Sequence, residues 1–131
     1  MIQVVCGIIF KNEKVLICQR KLSKSQGGLW EFPGGKVENN ESNTKTLKRE
    51  LIEELNLSVN NLKYFTSNIH KYDKVKIELI AYTCEYVKSE IIMREHENHE
   101  WKHISEISII NLSPADIPIL KELKKAKVNN T

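Results

Sequence analysis

Apolar residues along the chain fall into short runs typical of strands, interrupted by two stretches typical of helices. The runs at 2–10 and 14–20 are rich in β-branched residues and flank the turn-like KNEK, so they predict a hairpin. A brief apolar run, LWEF, predicts a short strand that ends at Pro33. Later runs predict strands at 62–70 and 75–87, and a short one at 101–104.

Two stretches have helical spacing. Between residues 42 and 55, Leu47, Leu51 and Leu55 recur every fourth position, and we expect them to face the core together with Ile52. A second helix is predicted at 117–127, after the turn-like LSPAD. The polar segments KLSKSQGG and REHENHE are expected to be exposed loops. Strands alternating with two helices predict one mixed α/β (α+β) domain over residues 1–131.

Composition and charge narrow the class of protein. Hydrophobic residues make up 40% and charged residues 28% of the chain, as in an ordinary globular domain. The net charge of +3 is too small to indicate binding to a nucleic acid polymer or a membrane. The N-terminal apolar run lacks a basic leader and is too short to span a bilayer. Three widely spaced cysteines show no metal-binding spacing, so we expect reduced, buried thiols in a cytoplasmic protein.

The predicted first helix carries an unusual cluster of acidic side chains. Glu50, Glu53 and Glu54 lie at helical neighbour positions, where like charges cost a few tenths of a kcal/mol per pair, roughly. A solvated acidic face would explain three such residues taken alone. Binding of a hard cation such as Mg²⁺ would also explain the cluster, because this ion takes oxygen ligands and is commonly shared with substrate phosphates. The preceding segment FPGG contains two glycines, and because glycine has no side chain, its backbone carbonyls can approach a ligand closely.

The segment 35–57 resembles the signature of the Nudix hydrolases. Its spacing runs from Gly35 over five residues to Glu41, and over seven more to the pair Arg49-Glu50. The signature then continues with an aliphatic residue, any residue, Glu53-Glu54, any residue, a glycine and a final aliphatic residue. Asn56 replaces the last glycine, which would end the helix in a left-handed conformation that asparagine also tolerates. The layout of nearly the whole chain is similar to MutT-type enzymes and cytidine triphosphate pyrophosphohydrolases.

This resemblance implies a Nudix fold, with a mixed sheet between helices, and a hydrolase that uses Mg²⁺ or Mn²⁺. Such enzymes cleave nucleoside triphosphates to the monophosphate and pyrophosphate, here with an oxidised guanine or a cytidine nucleotide as candidate substrate. The metal ligands it implies are Glu50, Glu53, Glu54, Glu95 and the carbonyl of Gly34. Either Glu53 or Glu54 would lie closest to the attacking water. Glu97 is the alternative to Glu95 as the loop ligand.

The remaining site residues are also assigned by resemblance. Glu41 and Arg49 would form a supporting ion pair between the loop and the helix. Arg20 matches a phosphate-contacting arginine, although it could also be a surface charge at the end of a strand. Phe32 would line the base pocket, although an aromatic residue beside a Gly-Gly turn could simply belong to the core. Asp116, in LSPADIPIL, matches a base-recognising position, although an aspartate there could simply cap the second helix. The four histidines show no metal spacing, and no catalytic role is assigned to them.

Other activities remain open from the sequence. A relative that cleaves ADP-ribose, NADH or a dinucleoside polyphosphate would share the same signature. A nucleotide sensor would bind without cleaving, but such a domain would be expected to lose glutamates that are all present here. A monomer and a homodimer are equally compatible with the chain.

Overall fold

The computed structural model describes residues 1–129, and its elements follow the predicted order. The strands are β1 (Ile2–Lys11), β2 (Lys14–Arg20), β3 (Trp30–Glu31), β4 (Gly34–Lys36), β5 (Ser58–Tyr72), β6 (Val75–Val87) and β7 (His96–His103). The helices are α1 (Asn43–Leu55) and α2 (Ile117–Asn129), with three short 3₁₀ turns at 104–106, 109–111 and 114–116. No helix in this described part of the chain is long and apolar enough to cross a membrane.

The strands form one mixed sheet in the order β3-β2-β1-β6-β5, with β4 pairing to β1 and β7 to β2. β1 runs parallel to β6 along its length, from Ile2 opposite Ile77 to Phe10 opposite Glu85. The other edge of β1 is shared between β4 and the β2 hairpin. Because β4 and β2 pair with different parts of this edge, the segment from β3 to β4 lies beside the middle of the sheet, where a cleft opens.

The period-two alternation of β1 and β2 divides the core into two layers. Val5 and Ile9 pack on one face of the sheet with the leucines of α1. Cys6 and Ile8 point to the opposite face, where α2 and the 3₁₀ turns cover them. The sheet therefore lies between two helices, and the predicted fold class is confirmed.

Helix α1 begins and ends as its sequence indicates. The Ser42 side chain caps the first turn by accepting from the Lys45 N–H at 3.2 Å. At the other end Asn56 adopts the left-handed conformation (φ 54°, ψ 38°), and its N–H donates to the Ile52 carbonyl at 3.0 Å. Asparagine thus performs the terminating role expected of the missing glycine.

Two expectations about these elements were wrong. Ile52 is 50% exposed, because it follows Leu51 by about 100° around the helix and leaves the stripe of every fourth residue. The segment REHENHE is not a loop throughout, since strand β7 begins at His96 and pairs with β2 up to the Lys14–His103 register. A strand can pair through its backbone without apolar side chains, so the polar composition of this segment gave no indication of β7. Cys6, Cys18 and Cys84 are free and buried, as expected.

Candidate active site

A cleft of about 810 Å³ opens beside the β3–β4 segment and the exposed end of the sheet. One end is lined by carboxylates of α1, and the other by Phe32 and Asp116. Between the two ends the walls carry both charged and apolar side chains, including Arg20, Lys24, Glu31, Lys36, Tyr72, Leu79, Glu95 and His96. The fold therefore gathers most of the sequence-predicted site residues along one continuous cleft.

The acidic end is built from Glu50 and Glu54, which lie one helical turn apart. Burial, and then repulsion from Glu50 and Glu31, raise the pKa of Glu54 from 4.5 to about 8. Glu50 is pressed against the loop so closely that a Cβ on Gly35 would lie 2.3 Å from its Cδ atom. A side chain at position 35 would displace the Glu50 carboxylate, whereas glycine lets the loop backbone lie against it.

Glu53 does not join this pair in the cleft. Its side chain is 57% exposed and accepts from Arg49 Nη1 at 3.0 Å. The three glutamates of the signature are therefore divided between two environments, with Glu50 and Glu54 lining the cleft and Glu53 paired outside it.

Arg49 also holds the loop that precedes the helix. Its Nε and Nη2 atoms donate to the two carboxylate oxygens of Glu41 at 2.8 and 2.9 Å, a bidentate pair. Thr46 donates to the same carboxylate at 2.8 Å. The bonds from Arg49 and then Thr46 lower the pKa of Glu41 from 4.5 to about 2, and the pKa of Arg49 is raised in turn. The pair has the geometry that the resemblance implied.

The loop before β7 brings a further carboxylate to the cleft. Arg94 fixes this loop on the end of α1, donating from Nη1 to the carbonyls of Ile52 and Glu53 at 3.0 Å each. Its own N–H donates to the Glu54 carbonyl at 3.1 Å. The next residue, Glu95, lines the cleft and forms an ion pair with Lys24, which lowers the pKa of Glu95.

The alternative loop residue, Glu97, is exposed on β7 and is not part of the cleft wall. Of the two candidate loop ligands, Glu95 is the one that lines the cleft.

Arg20 closes strand β2 at the centre of the cleft. Its Nε donates to the Ser25 carbonyl at 2.8 Å, and its Nη1 lies 3.3 Å from Glu31 Oε1. Within residues 1–129 its Nη2 makes no hydrogen bond, so one edge of the guanidinium is open to a ligand.

The part of the cleft around Asp116 is buried and held by hydrogen bonds. Asp116 is 4% exposed and its Oδ2 accepts from the Phe32 N–H at 2.9 Å. Its carboxylate thus accepts from the backbone N–H of Phe32 rather than from α2, and the capping role considered from the sequence is not what this geometry shows. Burial, followed by repulsion from Glu31, raises the pKa of Asp116 well above its usual range. Tyr72 and Asn68 of β5 hold the same loop through the backbone of Ala115, at 2.8 and 3.0 Å.

Sequence reasoning missed two residues of this site. Glu31 contacts Arg20 and lies near enough to raise the pKa of both Glu54 and Asp116. His96 is buried and its Nε2 lies 2.9 Å from Glu31 Oε2. A lone acid inside the apolar run LWEF was a usable signal for Glu31, whereas nothing in the polar segment around His96 set it apart.

The donor set suits a hard divalent cation. Glu50, Glu54 and Glu95 offer carboxylate oxygens at one end of the cleft, and a cation there would offset the repulsion that raises the Glu54 pKa. Among the described residues no three His, Cys, Asp or Glu side chains already surround a common point. A small number of carboxylates, completed by water and phosphate oxygens, is the usual arrangement for magnesium.

Comparison with known proteins agrees with this geometry. A family model described as NUDIX domain matches residues 4–122, and the chain therefore belongs to the Nudix family. Nudix hydrolases generally need a divalent metal such as Mg²⁺ and act on nucleotide substrates.

Particular relatives narrow the comparison further. A CTP pyrophosphohydrolase of Escherichia coli is 38% identical over 121 residues, covering 92% of this chain and 90% of its own. An 8-oxo-dGTP diphosphatase of Buchnera aphidicola is 34% identical, covering 93% of this chain and 92% of its own. A solution structure of an E. coli protein superposes with a TM-score of 0.85 at 36% identity, covering 97% of this chain and 91% of that one.

Proposed function

We propose that the chain is a single-domain, Mg²⁺-dependent nucleoside triphosphate pyrophosphohydrolase acting on free nucleotides in the cytoplasm. It would release the nucleoside monophosphate and pyrophosphate, as the MutT-type resemblance implies. The observation that carries the proposal is that one cleft gathers all three kinds of group. It is lined by the paired carboxylates of α1, by Arg20 with a free guanidinium edge, and by the buried Asp116.

Each group has a role that its surroundings support. Glu50, Glu54, Glu95 and the Gly34 carbonyl would hold the metal, which supplies charge neutralisation of phosphate oxygens and a more acidic bound water. Arg49 Nη1 contacts Glu50 as well as Glu53, at 3.1 and 3.0 Å, so a metal would compete with Arg49 for both carboxylates. The contacts favour Glu54 as the group nearest the attacking water, because it lines the cleft and is the more buried of the two adjacent glutamates. The free Nη2 edge of Arg20 would bind a phosphate oxygen.

The base end supports a choice between bases. An ionised Asp116 can only accept, which suits the 4-amino donor of cytosine and opposes the 6-oxygen of guanine. A protonated carboxyl also donates, and the raised pKa of Asp116 favours that form. Cytidine triphosphates and oxidised guanine triphosphates are accordingly the two substrate candidates, and Phe32 would form part of the pocket for either base.

A nucleotide panel tests the proposal. The purified chain would be incubated with Mg²⁺ and dCTP, CTP, 8-oxo-dGTP, dGTP, ADP-ribose, NADH and a dinucleoside polyphosphate, with a chelator control. Monophosphate plus pyrophosphate from a triphosphate, abolished by the chelator, is the expected result. Cleavage confined to ADP-ribose, NADH or the dinucleoside polyphosphate would replace the substrate class, and tight binding without any product would indicate a sensor.

A further inference from the structure

His96 is buried where the surrounding sequence gives no reason for burial. It opens β7 at 5% exposure, while its neighbours Glu95 and Glu97 are exposed. A polar ring is seldom enclosed in a protein without a hydrogen-bonding purpose. Nε2 has such a partner in Glu31, at 2.9 Å, and Nδ1 is buried without a partner in the described part of the chain. Because the partner of Nε2 is a carboxylate, that nitrogen must carry the hydrogen and donate.

Sheet pairing brings three strands together at this point. His96 of β7 lies opposite Arg20 of β2, immediately after a register shift between Gln19 and Arg20. On the other edge of β2, Glu31 of β3 lies opposite Cys18. The register shift is an irregularity of the kind that redirects a side chain. It brings Arg20 opposite His96, so that Glu31 can contact both residues.

The two contacts to Glu31 differ in quality. The histidine bond is 2.9 Å, whereas Arg20 Nη1 lies 3.3 and 3.5 Å from the two carboxylate oxygens. Without His96, Glu31 would keep only the longer contacts and could turn about its own side-chain bonds. Arg20 would then retain one firm anchor, the Ser25 carbonyl at 2.8 Å, and its free edge would no longer have a fixed direction.

We propose that His96 is a positioning residue, which fixes Glu31 and thereby directs the free edge of Arg20 at a substrate phosphate. The inference rests on the proposed function for its substrate, but not for the contact itself. His96 touches no reacting atom in this account. It acts through two other side chains, and its effect must disappear when Arg20 is absent.

The kinetic test uses a double-mutant cycle. His96→Leu should raise KM for the best triphosphate roughly tenfold with a smaller change in kcat, the loss expected for one charge-assisted hydrogen bond. His96→Gln, whose Nε2 can reach the same carboxylate, should recover most of that loss. In an Arg20→Met background, His96→Leu should change KM by less than about twofold, because the two residues share one effect. If His96→Leu raised KM by the same factor in the parent and in the Arg20→Met background, the proposal would be overturned.

His99 provides the matched control. It is also on β7, opposite Cys18, and its Nδ1 is likewise buried with no partner among residues 1–129. It lies outside the cleft wall and does not contact Glu31. His99→Leu should leave KM unchanged. A rise in KM as large as that for His96→Leu would show a general effect of disturbing β7 and would contradict a specific role for His96.

A second readout separates this inference from the proposed function. Proton–nitrogen correlation spectra of the arginine Nε–H groups, with the Arg20 signal assigned by its loss in Arg20→Lys, report on that side chain without any substrate. His96→Leu should shift or broaden the Arg20 signal, and His96→Gln should restore it. An unaltered signal in folded His96→Leu protein would refute the positioning role even if every triphosphate is hydrolysed. A shifted signal in a chain that cleaves no triphosphate would support the contact and refute the proposed substrate.

Discussion

Replacing Asp116 by asparagine tests how the base end of the cleft selects a nucleotide. The carboxylate is 4% exposed and its Oδ2 accepts from the Phe32 N–H at 2.9 Å. Asparagine has nearly the same shape, and its carbonyl oxygen can keep that bond. The substitution removes the ionisable group and adds an amide that can both donate and accept. The fold should therefore be preserved while the hydrogen-bonding pattern offered to the base changes.

The magnitude follows from the number of contacts altered. One donor–acceptor mismatch with a base edge is worth about 1–3 kcal/mol, which corresponds to roughly 5- to 150-fold in a specificity constant. The ratio of kcat/KM for dCTP to that for 8-oxo-dGTP should fall by this factor in Asp116→Asn. Because the pKa of Asp116 is raised, the ionised form is complete only at higher pH. The difference between parent and variant should therefore grow as pH rises.

Parallel steady-state kinetics on the two nucleotides, at several pH values, provide the assay. Asp73→Asn is the matched control, since Asp73 also lines the cleft but lies in an exposed turn with φ 50°, which asparagine tolerates. The control should leave the ratio unchanged. An unchanged ratio in folded Asp116→Asn protein would refute base recognition by Asp116.

Stability gives an independent check on the same substitution. A buried acid with a raised pKa binds its proton more tightly in the folded state, so the free energy of unfolding falls as pH rises above the unfolded pKa of 3.8. Asparagine has no such dependence. Asp116→Asn should therefore gain stability relative to the parent between acidic and neutral pH, as measured by urea unfolding at each pH.

Four further predictions concern the glutamates of α1, the loop before that helix and the metal that they would hold. Glu54→Gln and Glu53→Gln should each lower turnover by orders of magnitude in folded protein, the former more severely; parental rates in both would refute the metal site. The hydrolysis rate should rise into the alkaline range, because a bound water must lose its proton, and a pH–rate profile with a maximum near about pH 5 would contradict this. Glu41→Gln should be less stable than the parent above pH 4.5. The difference should disappear as pH falls toward about 2, because the parental carboxyl is then also protonated. A difference that persists at acid pH in thermal melts would contradict the ion pair. Gly35→Ala should reduce metal-dependent activity by displacing Glu50, and a fully active variant would show that the loop can yield.

Local features of the sequence were sufficient to predict most of the fold. The leucine spacing, Ser42 and Asn56 define α1 because helix faces and caps depend on residues only a few positions apart. Strand β7 could not be predicted in full, since its first residues are held by pairing with β2, about eighty positions earlier. Pairing of that kind leaves no periodic mark in a polar segment.

The sequence predicted part of the candidate site, as it predicted part of the fold. The resemblance to a family signature named Glu41, Arg49 and Glu50, whose contacts lie within one loop and one helix. It could not show that Glu53 turns toward Arg49, because spacing on a helix fixes a side chain's position but not its partner. Glu31 and His96 escaped notice because their contact joins β3 to β7 across the end of β2.

The three enclosed thiols have a consequence for chemical durability. Burial raises the pKa of Cys6, Cys18 and Cys84, so the thiolate, which is the form that peroxides attack, is scarce as well as inaccessible. Met1 and Met93, in contrast, are 71% and 39% exposed, and neither lines the cleft. Oxidation of the two exposed methionines would therefore alter side chains outside the cleft wall, while the three thiols stay protected by burial.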